Sequence, residues 1–389
     1  MRFSPLVDRI SGKGSDAWSI HWRARELARQ GRDVIMLTVG DPDMPPPARV
    51  IEAAVESLRA GRTTYSPMAG YPEVRAAIAA RHAERTGVPT PADDVVVVPG
   101  AQAGLYCAMQ CLAGPGDEVI APEPMYATYG AVAGAAGASI VNVALRPERG
   151  FHLDPDDLER AVTPRTRVLW LNSPHNPTGA VMTRAEVEAA AEFCRRHDLW
   201  LLSDEVYADL AYAGPHVSPR SLPGMAERTV VVSSLSKSHA VPGFRFGWII
   251  GPAELAGHLS RLVLCMLYGG PPFIQDGALA ALTADCPEVG EMAEAYRRRA
   301  GIMVSLLENV PGLRASRPEG GMFVLLDVRG TGRTSDEFAY GLLEGQGVAV
   351  LPCDGFGPSA AGHLRISLAA PDGRIEEAAR RIAEHAAPA

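Results

Sequence analysis

The chain has 389 residues, a formal net charge of −8, 47% apolar residues and 21% charged residues. This composition is typical of a globular protein long enough for two or three domains. No long basic run and no apolar stretch of membrane-spanning length occurs in the sequence, which argues against nucleic-acid and membrane partners.

The N-terminal residues predict a helix followed by a short strand. Residues 14 to 30 have the pattern of a mostly exposed helix, and residues 34 to 39 form a short apolar strand. The strand leads into Gly40-Asp41-Pro42-Asp43, and three prolines then form a stiff link. We expect residues 1–45 to be an N-terminal arm and part of a small domain.

From about residue 94 to residue 250, short apolar strands alternate with amphipathic helices. This alternation predicts a mainly parallel sheet, and we place a large α/β domain at residues 46–285. A helix to about His197 is indicated by the capping box of Thr183 and Glu186. The other predicted elements are strands at 95–98, 118–120, 139–143, 167–171, 199–202 and 229–233, and helices at 101–112 and 126–136.

After residue 250 the pattern changes to an α+β arrangement, which predicts a small C-terminal domain at residues 286–389. Long helical patterns come first and strands follow. The predicted elements are helices around 252–265 and 288–309, a strand at 322–328, a helix from Ser335, strands at 348–351 and 364–368, and a final helix from Asp372.

The six cysteines are scattered, and they lack the second pair that would complete a zinc site. We therefore expect six small buried thiols and no metal. The first residues lack an apolar segment of signal-peptide length. Together these features favour a reducing, cytoplasmic location.

The segment Ser234-Leu235-Ser236-Lys237 follows a β-branched strand, and Arg245 comes shortly after it. Ligands of open α/β sheets bind at the carboxyl ends of the strands. The Lys237 amine could form a Schiff base with an aldehyde, while the two serines and Arg245 could bind a phosphate. Pyridoxal 5'-phosphate carries both groups. The alternative is a surface lysine beside a serine-rich turn.

Other polar groups occur at similar turns. The residues Gly100 to Gly104 lie at a strand-to-helix turn, which suits an anion but is also compatible with a Rossmann-like or structural turn. Asp204 follows the strand predicted at 199–202 and would need a cation such as a protonated pyridine nitrogen, unless it caps the next turn. Asn176 and Tyr207 could donate to a phenolate oxygen. Arg365, in an apolar strand, could bind a substrate carboxylate or lie on an exposed face.

In chain order these groups form a complete pyridoxal phosphate site, and the set resembles the fold-type I aminotransferases of classes I and II. The similarity runs over essentially the whole chain, from Gly40-Asp41-Pro42-Asp43 to Arg365. Four segments resemble the arginine–pyruvate aminotransferase group more closely: 172–177, 236–240, 264–269 and 356–363.

The resemblance implies a fold and a set of cofactor contacts. The fold is α/β, the pyridoxal phosphate transferase fold type I, with a mainly parallel seven-stranded sheet sandwiched by helices and a smaller α+β domain from both termini. Lys237 would bind the cofactor and carry the proton between substrate and cofactor, and Asp204 would keep the pyridine nitrogen protonated. The phosphate would be bound by Ser234, Ser236, Arg245 and the backbone of Ala101 and Gln102.

It also implies the remaining contacts. Asn176 and Tyr207 would hold the phenolic oxygen, and Tyr126 would stack on the cofactor unless it is a core tyrosine. Tyr65 would reach the phosphate of a neighbouring subunit, so a homodimer with shared active sites is expected. The substrate would be bound by Gly40, Tyr126, Asn176 and Arg365.

The implied activity is the transfer of an α-amino group from an L-amino acid to a 2-oxo acid by a ping-pong mechanism, with arginine and pyruvate as the candidate substrates. Gln102 stands where some aspartate-specific members place a lysine, which argues against a second substrate carboxylate. Asp16 and Glu123 are candidates for binding a guanidinium. The alternatives are a pyridoxal phosphate β-elimination, as in a C–S lyase, and a non-catalytic binding or regulatory module. An oxidoreductase is disfavoured because no acidic residue stands at the ribose-binding spacing.

Overall fold

A seven-stranded sheet forms the centre of the computed structural model, which describes residues 2–11 and 18–387. The strands are, in chain order, β1 (Ile35–Met36), β2 (Val95–Val98), β3 (Glu118–Glu123), β4 (Ser139–Ala144), β5 (Thr166–Asn172), β6 (Trp200–Asp204), β7 (Thr229–Ser234), β8 (Gly247–Ile250), β9 (Arg314–Ala315), β10 (Phe323–Asp327), β11 (Val348–Ala349), β12 (Leu351–Pro352) and β13 (His363–Ser367).

Helices surround this sheet and the smaller sheets. They are α1 (Leu6–Arg9), α2 (Ser19–Arg29), α3 (Ala48–Arg59), α4 (Pro72–Thr86), α5 (Gly100–Leu112), α6 (Tyr129–Ala136), α7 (Pro155–Ala161), α8 (Arg184–Arg196), α9 (Leu235–Ser238), α10 (Ala253–Met266), α11 (Pro272–Thr283), α12 (Pro287–Leu307), α13 (Ser335–Gln346) and α14 (Asp372–Ala386).

The central sheet has the strand order β2-β8-β7-β6-β5-β3-β4. Neighbouring strands are parallel except for β8, which is antiparallel to both β7 and β2. Alternate side chains of β5 point to opposite faces, as the pleat requires. Val168 and Trp170 pack with α5 and α10, and Leu169 and Leu171 pack with α8. Helices therefore cover both faces, which explains why the strands are apolar runs. The mainly parallel α/β sheet predicted from the sequence is confirmed.

The C-terminal third of the chain forms a second, antiparallel sheet with the order β12-β13-β10-β9. Its strands pack with α13 and α14, where Phe338 and Ile375 are fully buried. Strand β1 pairs in parallel with β11, so a segment near the N-terminus joins this region. The two ends of the chain thus build one α+β layer. The domain boundaries at residues 45 and 285 stay a prediction.

Several predicted elements differ in their bounds. The helix predicted from Tyr126 begins at Tyr129, because the Met125 N–H is bonded to the carbonyl of Phe356 and holds the preceding turn. The strand predicted over 348–351 is split between β11 and β12, which belong to different sheets. The strand predicted over 34–39 is paired only at Ile35–Met36. The capping box of Thr183 and Glu186 is present.

Six helices were missed by the sequence-based prediction: α1, α3, α4, α7, α9 and α11. Helix α11 shows why, because its buried side includes Gly277, Ala278 and Ala281 and gives a weak apolar pattern. At Gly277 it crosses α3 so closely that an added Cβ atom would lie 3.0 Å from the carbonyl oxygen of Val50. Of the helix predicted over 14–30, α2 covers Ser19–Arg29, and residues 14–17 lie outside the described residues.

The prediction of six buried cysteines is wrong for Cys265, which is exposed. It lies in the last turn of the amphipathic α10, on the side opposite the buried Val263. Cys111 and Cys286 are half-buried, and the other three thiols are buried. Within residues 2–11 and 18–387, none of the helices is both long enough and apolar enough to cross a membrane.

Candidate active site

A cavity of about 230 Å³ lies at the carboxyl ends of the central strands. It brings together twelve of the thirteen residues that the resemblance assigns to cofactor and substrate binding. These are Gly40, Ala101, Gln102, Tyr126, Asn176, Asp204, Tyr207, Ser234, Ser236, Lys237, Arg245 and Arg365. The topology explains this convergence, because β5, β6 and β7 are parallel neighbours and their carboxyl ends meet at one edge.

Lys237 lies in the short helix α9, directly after β7. The Ser234 hydroxyl caps this helix by accepting a hydrogen bond from the Ser236 N–H. The Lys237 ammonium donates to the carbonyl of Gly40. Burial lowers the pKa of Lys237 to about 8, an effect that nearby Asp41 partly opposes. A substantial fraction of the amine is therefore neutral near physiological pH, and a neutral amine is the form that attacks an aldehyde.

The Asp204 carboxylate lies at the end of β6 and is buried. It accepts hydrogen bonds from the Tyr129 hydroxyl at 2.7 Å and from the Val206 N–H at 3.2 Å. Burial raises the pKa of Asp204 to about 6. Without a cation beside it this carboxyl keeps its proton to a higher pH than an ordinary aspartate, and a protonated ring nitrogen would favour the ionised form.

Two residues of the Asp204 neighbourhood were missed by the sequence analysis. The Tyr129 ring stacks on Trp170 with centroids 3.9 Å apart, which holds its hydroxyl toward Asp204. Asn172 donates to the Asp204 carbonyl at 3.1 Å and accepts at 2.9 Å from the Asn176 N–H. The position of Asn172 at the end of an apolar strand was a usable signal, whereas Tyr129 has the appearance of any core tyrosine on a helix.

The N-terminus of α5 and Arg245 form a concave, electropositive surface. Arg245 donates to the carbonyls of Pro242 at 2.8 Å and Pro99 at 3.3 Å. Its guanidinium lies so close to Gly100 that a Cβ atom there would overlap it. Gly247 is equally confined, since an added Cβ would lie 2.7 Å from the backbone of Gly100. These glycines let an arginine approach free helix N–H groups, an arrangement that suits a phosphate.

Arg365 lies in the middle of β13 and is 1% exposed. It donates to Asn176 Oδ1 at 3.1 Å and to the Thr38 carbonyl at 2.7 Å, while its Nε–H has no partner. Its Cζ atom lies 4.2 Å from the centroid of the Phe323 ring. The guanidinium therefore keeps unused donors in a buried place, which favours a carboxylate ligand.

The two tyrosines of the cavity stay protonated. Burial raises the pKa of Tyr207 and of Tyr126. The Tyr207 ring packs edge-to-face on Phe323, with centroids 6.1 Å apart. Tyr126 precedes α6 and packs at right angles to Tyr129. Both hydroxyls can thus act as hydrogen-bond donors in the cavity.

Two predicted residues, Tyr65 and Glu123, lie outside the cavity. Tyr65 is 83% exposed and contacts Tyr268 outside the cavity, so its predicted role needs a second subunit and stays a prediction. Glu123 is buried, and both of its carboxylate oxygens accept hydrogen bonds from Ser359, which leaves it no place at the cavity mouth. Asp16 lies outside the described residues.

The donor set fits pyridoxal 5'-phosphate. The cavity offers a buried amine for the aldehyde, a buried carboxylate for the ring nitrogen, and an electropositive surface shaped by glycines for the phosphate. Arg365, with its unpaired Nε–H, remains for a substrate carboxylate. No residue has to serve two of these groups.

Comparisons with known proteins identify the family of this chain. The family model for aminotransferase class I and II matches residues 32–382. Arginine–pyruvate transaminase AruH of Pseudomonas aeruginosa is 52% identical over 383 residues, covering 98% of both chains. The aspartate/prephenate aminotransferase of Thermus thermophilus is 38% identical over 374 residues, covering 95% of this chain and 96% of that one.

The solved structures give the same result. Aspartate aminotransferase from Thermus thermophilus with maleate superposes with a TM-score of 0.93 at 36% identity, covering 99% of this chain and all of that one. An aromatic aminotransferase from Pyrococcus horikoshii superposes with a TM-score of 0.88 at 34% identity, covering 93% and 98%. The chain therefore belongs to the class I and II aminotransferases, which are pyridoxal phosphate enzymes of fold type I.

Proposed function

We propose that this aminotransferase takes the α-amino group of arginine and transfers it to pyruvate in a ping-pong cycle. The proposal rests on the charged side chains that line the cavity. Among the described lining residues the cations are Lys237, Arg245 and Arg365, and each has a group to bind: the aldehyde, the phosphate and the substrate α-carboxylate. None of these three is left for a carboxylate on the substrate side chain, so the described part of a single subunit offers no lining cation that would favour aspartate as donor.

Two further residues support a basic donor. Gln102 is neutral, and its amide oxygen already accepts a hydrogen bond of 3.0 Å from the Thr128 hydroxyl. Trp18 lines the same cavity and directly precedes α2. The face of an indole attracts a guanidinium, so Trp18 would bind the side chain of arginine without any carboxylate. The likeness to arginine–pyruvate transaminase AruH points to the same pair of substrates.

The roles of the remaining residues follow from their geometry. When bound, the cofactor withdraws electrons from the substrate α-carbon. Asp204 would keep the ring nitrogen protonated, and Lys237 would move the proton at the α-carbon, since its pKa of about 8 lets it both accept and donate. Asn176 and Tyr207 would donate to the phenolic oxygen. Arg365 would orient the α-carboxylate, with the backbone at Gly40 beside it.

The relatives favour amino transfer over the two alternatives drawn from the sequence. Those with assigned names are transaminases or aminotransferases, and none is named a C–S lyase or a regulatory module among those reported above. The complete set of catalytic groups in the cavity is also more than a binding module needs.

The proposal includes a homodimer. An exposed apolar surface is formed by residues 65–68 and by residues 264–270, which include the end of α10 and the loop after it. The Tyr65 and Tyr268 rings are in contact, with centroids 5.1 Å apart, and the Ser66 hydroxyl donates a 2.7 Å hydrogen bond to the Gly270 carbonyl. Exposed patches of this kind mark protein interfaces. Tyr65 would extend from it into the phosphate site of the second subunit. Light scattering of the purified protein tests the dimer, and Tyr65→Phe, which removes only the hydroxyl, should weaken cofactor binding.

We also propose a division into an N-terminal arm with part of the small domain (1–45), a large domain (46–285) and a small C-terminal domain (286–389). The separate central and antiparallel sheets support it. A cytoplasmic location is supported by the six unpaired cysteines, which fit a reducing compartment.

The substrate proposal is tested with a panel of amino donors against pyruvate and 2-oxoglutarate, using the purified enzyme loaded with cofactor. We expect arginine with pyruvate to give the highest kcat/KM. A higher kcat/KM for aspartate or for an aromatic donor would overturn the arginine assignment but leave the aminotransferase activity intact.

A further inference from the structure

A glutamate outside the cavity joins a central strand to the C-terminal part of the chain. Glu123 is the last residue of β3 and is 3% exposed. Its Oε2 atom accepts a hydrogen bond of 3.0 Å from the Ser359 N–H, and its Oε1 atom accepts one of 2.5 Å from the Ser359 hydroxyl. We call this pair the strand-end clamp. Because the N–H and the hydroxyl of Ser359 both donate to the Glu123 side chain, a carboxylate suits this position.

Neighbouring contacts hold the same segment. Gly357 has a φ of 135° and lies so close to Glu123 that an added Cβ atom would overlap the carboxylate. The Met125 N–H donates to the Phe356 carbonyl at 2.7 Å. The loop between β12 and β13 is therefore held against the end of β3 by both side-chain and backbone contacts.

The held loop carries a residue that contacts Arg365. Phe356 is 1% exposed, and its ring centroid lies 5.3 Å from the Arg365 Cζ atom. The ring shields the guanidinium from water on this side. An anion bound to a shielded guanidinium is held more strongly than one bound to a hydrated guanidinium. The position of Phe356 therefore bears on the affinity of Arg365 for a carboxylate.

We propose that Glu123 is a positioning residue for substrate binding. Through the strand-end clamp it holds Phe356 over Arg365 and so sets the affinity for the carboxylate that the amino donor and the oxo acid share. This inference rests on the proposed role of Arg365. It gives Glu123 a function different from direct contact with the substrate side chain.

The test uses steady-state kinetics of the cofactor-loaded enzyme. In Glu123→Ala we expect the KM of pyruvate and of the amino donor to rise about tenfold while kcat stays within about threefold, because this contact acts equally on bound substrate and transition state. Ser359→Ala should shift both KM values in the same direction by a smaller factor. Glu123→Gln should keep most of the affinity, since its amide oxygen still accepts from the Ser359 N–H.

The matched control is Glu118→Ala. Glu118 is a buried carboxylate at the other end of β3, bonded to Thr163 and Arg165, and its loss should leave both KM values unchanged. The dissociation constant of the cofactor, measured by equilibrium dialysis, should be the same in the wild type and in Glu123→Ala. A selective rise in KM thus separates positioning from general loss of structure.

Two outcomes would overturn the inference. One is an unchanged KM in Glu123→Ala, or in Ser359→Ala if Glu123→Ala does not fold. The other is a KM rise matched by Glu118→Ala or by an equal loss of cofactor affinity. Arg365→Lys is run in parallel, because an unchanged pyruvate KM there would reject the role of Arg365 itself, and with it the clamp.

Discussion

The hydroxyl of Tyr129 donates a 2.7 Å hydrogen bond to the buried carboxylate of Asp204. This bond lowers the pKa of Asp204 and partly offsets the effect of burial, which raises it. The ionised state of a residue expected to face the cofactor ring therefore depends on a tyrosine from a different element, α6.

Tyr129→Phe removes that bond and keeps the ring on Trp170. We expect the Asp204 pKa to rise, so that the acidic limb of the kcat/KM profile moves to higher pH and activity near pH 7 falls about threefold to tenfold. The measurement is kcat/KM between pH 5 and pH 9. Tyr126→Phe is the control, because the Tyr126 hydroxyl is not hydrogen-bonded to Asp204. An equal shift of the acidic limb in Tyr126→Phe would contradict the role assigned to Tyr129.

Asp204→Asn should stabilise the cofactor-free protein while it abolishes activity. The folded-state pKa of about 6 lies above the ordinary value of 3.8. The folded state therefore binds the proton more tightly, and this carboxyl costs stability as the pH rises through about 6. We expect the variant to gain about 1–3 kcal/mol in free energy of unfolding at pH 7.5 and to lose that advantage below pH 4. Urea denaturation of the cofactor-free proteins at both pH values measures it, and equal stability at pH 7.5 would reject the argument.

The Lys237 amine should react with the cofactor at a lower pH than an ordinary lysine. Because burial lowers its pKa to about 8, the rate of covalent capture of pyridoxal phosphate by the cofactor-free protein should rise with pH and level off above about 8. Stopped-flow absorbance gives the rate, and borohydride reduction followed by mass spectrometry gives the attachment site. Lys237→Ala should show no attachment; capture with a midpoint near that of free lysine would contradict the effect of burial.

Arg365→Lys replaces a planar, multi-donor group by a single ammonium. Arg365 uses separate nitrogens for Asn176 and Thr38, and a lysine cannot keep both bonds and still bind a carboxylate through two donors. We expect KM for donor and acceptor to rise about thirtyfold to three-hundredfold, equivalent to roughly 2–3.4 kcal/mol. Cofactor affinity should stay unchanged, and a parallel loss of cofactor would indicate collapse of the site.

Trp18→Leu tests how the donor side chain is bound. Replacing the indole should lower kcat/KM for arginine by about fivefold to thirtyfold, the range of a partly buried cation–π contact. The value for norleucine, which has no charge, should change far less, and Trp18→Phe should lie in between. Equal losses for arginine and norleucine would assign Trp18 to general packing. If arginine is not used by the wild type, the substrate proposal itself is rejected.

The sequence predicted most of the site because its residues follow apolar strands. Once β5, β6 and β7 are recognised as buried parallel strands, Asn176, Asp204 and Lys237 must lie near one edge. The capping box could be predicted from the sequence because its two partners, Thr183 and Glu186, lie within one helical turn. Local patterns and parallel topology were sufficient there.

What escaped prediction depends on contacts between distant residues. The break between β11 and β12 arises because neighbouring residues pair with different sheets, which no local pattern records. Helix α11 is defined by its close crossing with α3 rather than by an apolar stripe. The bonds of Tyr129 to Asp204 and of Glu123 to Ser359 join residues with nothing in their own surroundings that predicts a partner.

The short strand β1 ends just before two carbonyls that the site needs. The Thr38 carbonyl accepts a hydrogen bond from Arg365, which lies 327 residues later in the sequence, and the Gly40 carbonyl accepts one from Lys237. During synthesis the first of these bonds cannot form until nearly the whole chain has left the ribosome. A nascent chain that reaches residue 350 already holds Lys237, Asp204 and Arg245, yet it lacks the arginine expected to bind the substrate carboxylate. The residues of this chain that are expected to hold the cofactor are thus synthesised before the arginine that is expected to bind the substrate.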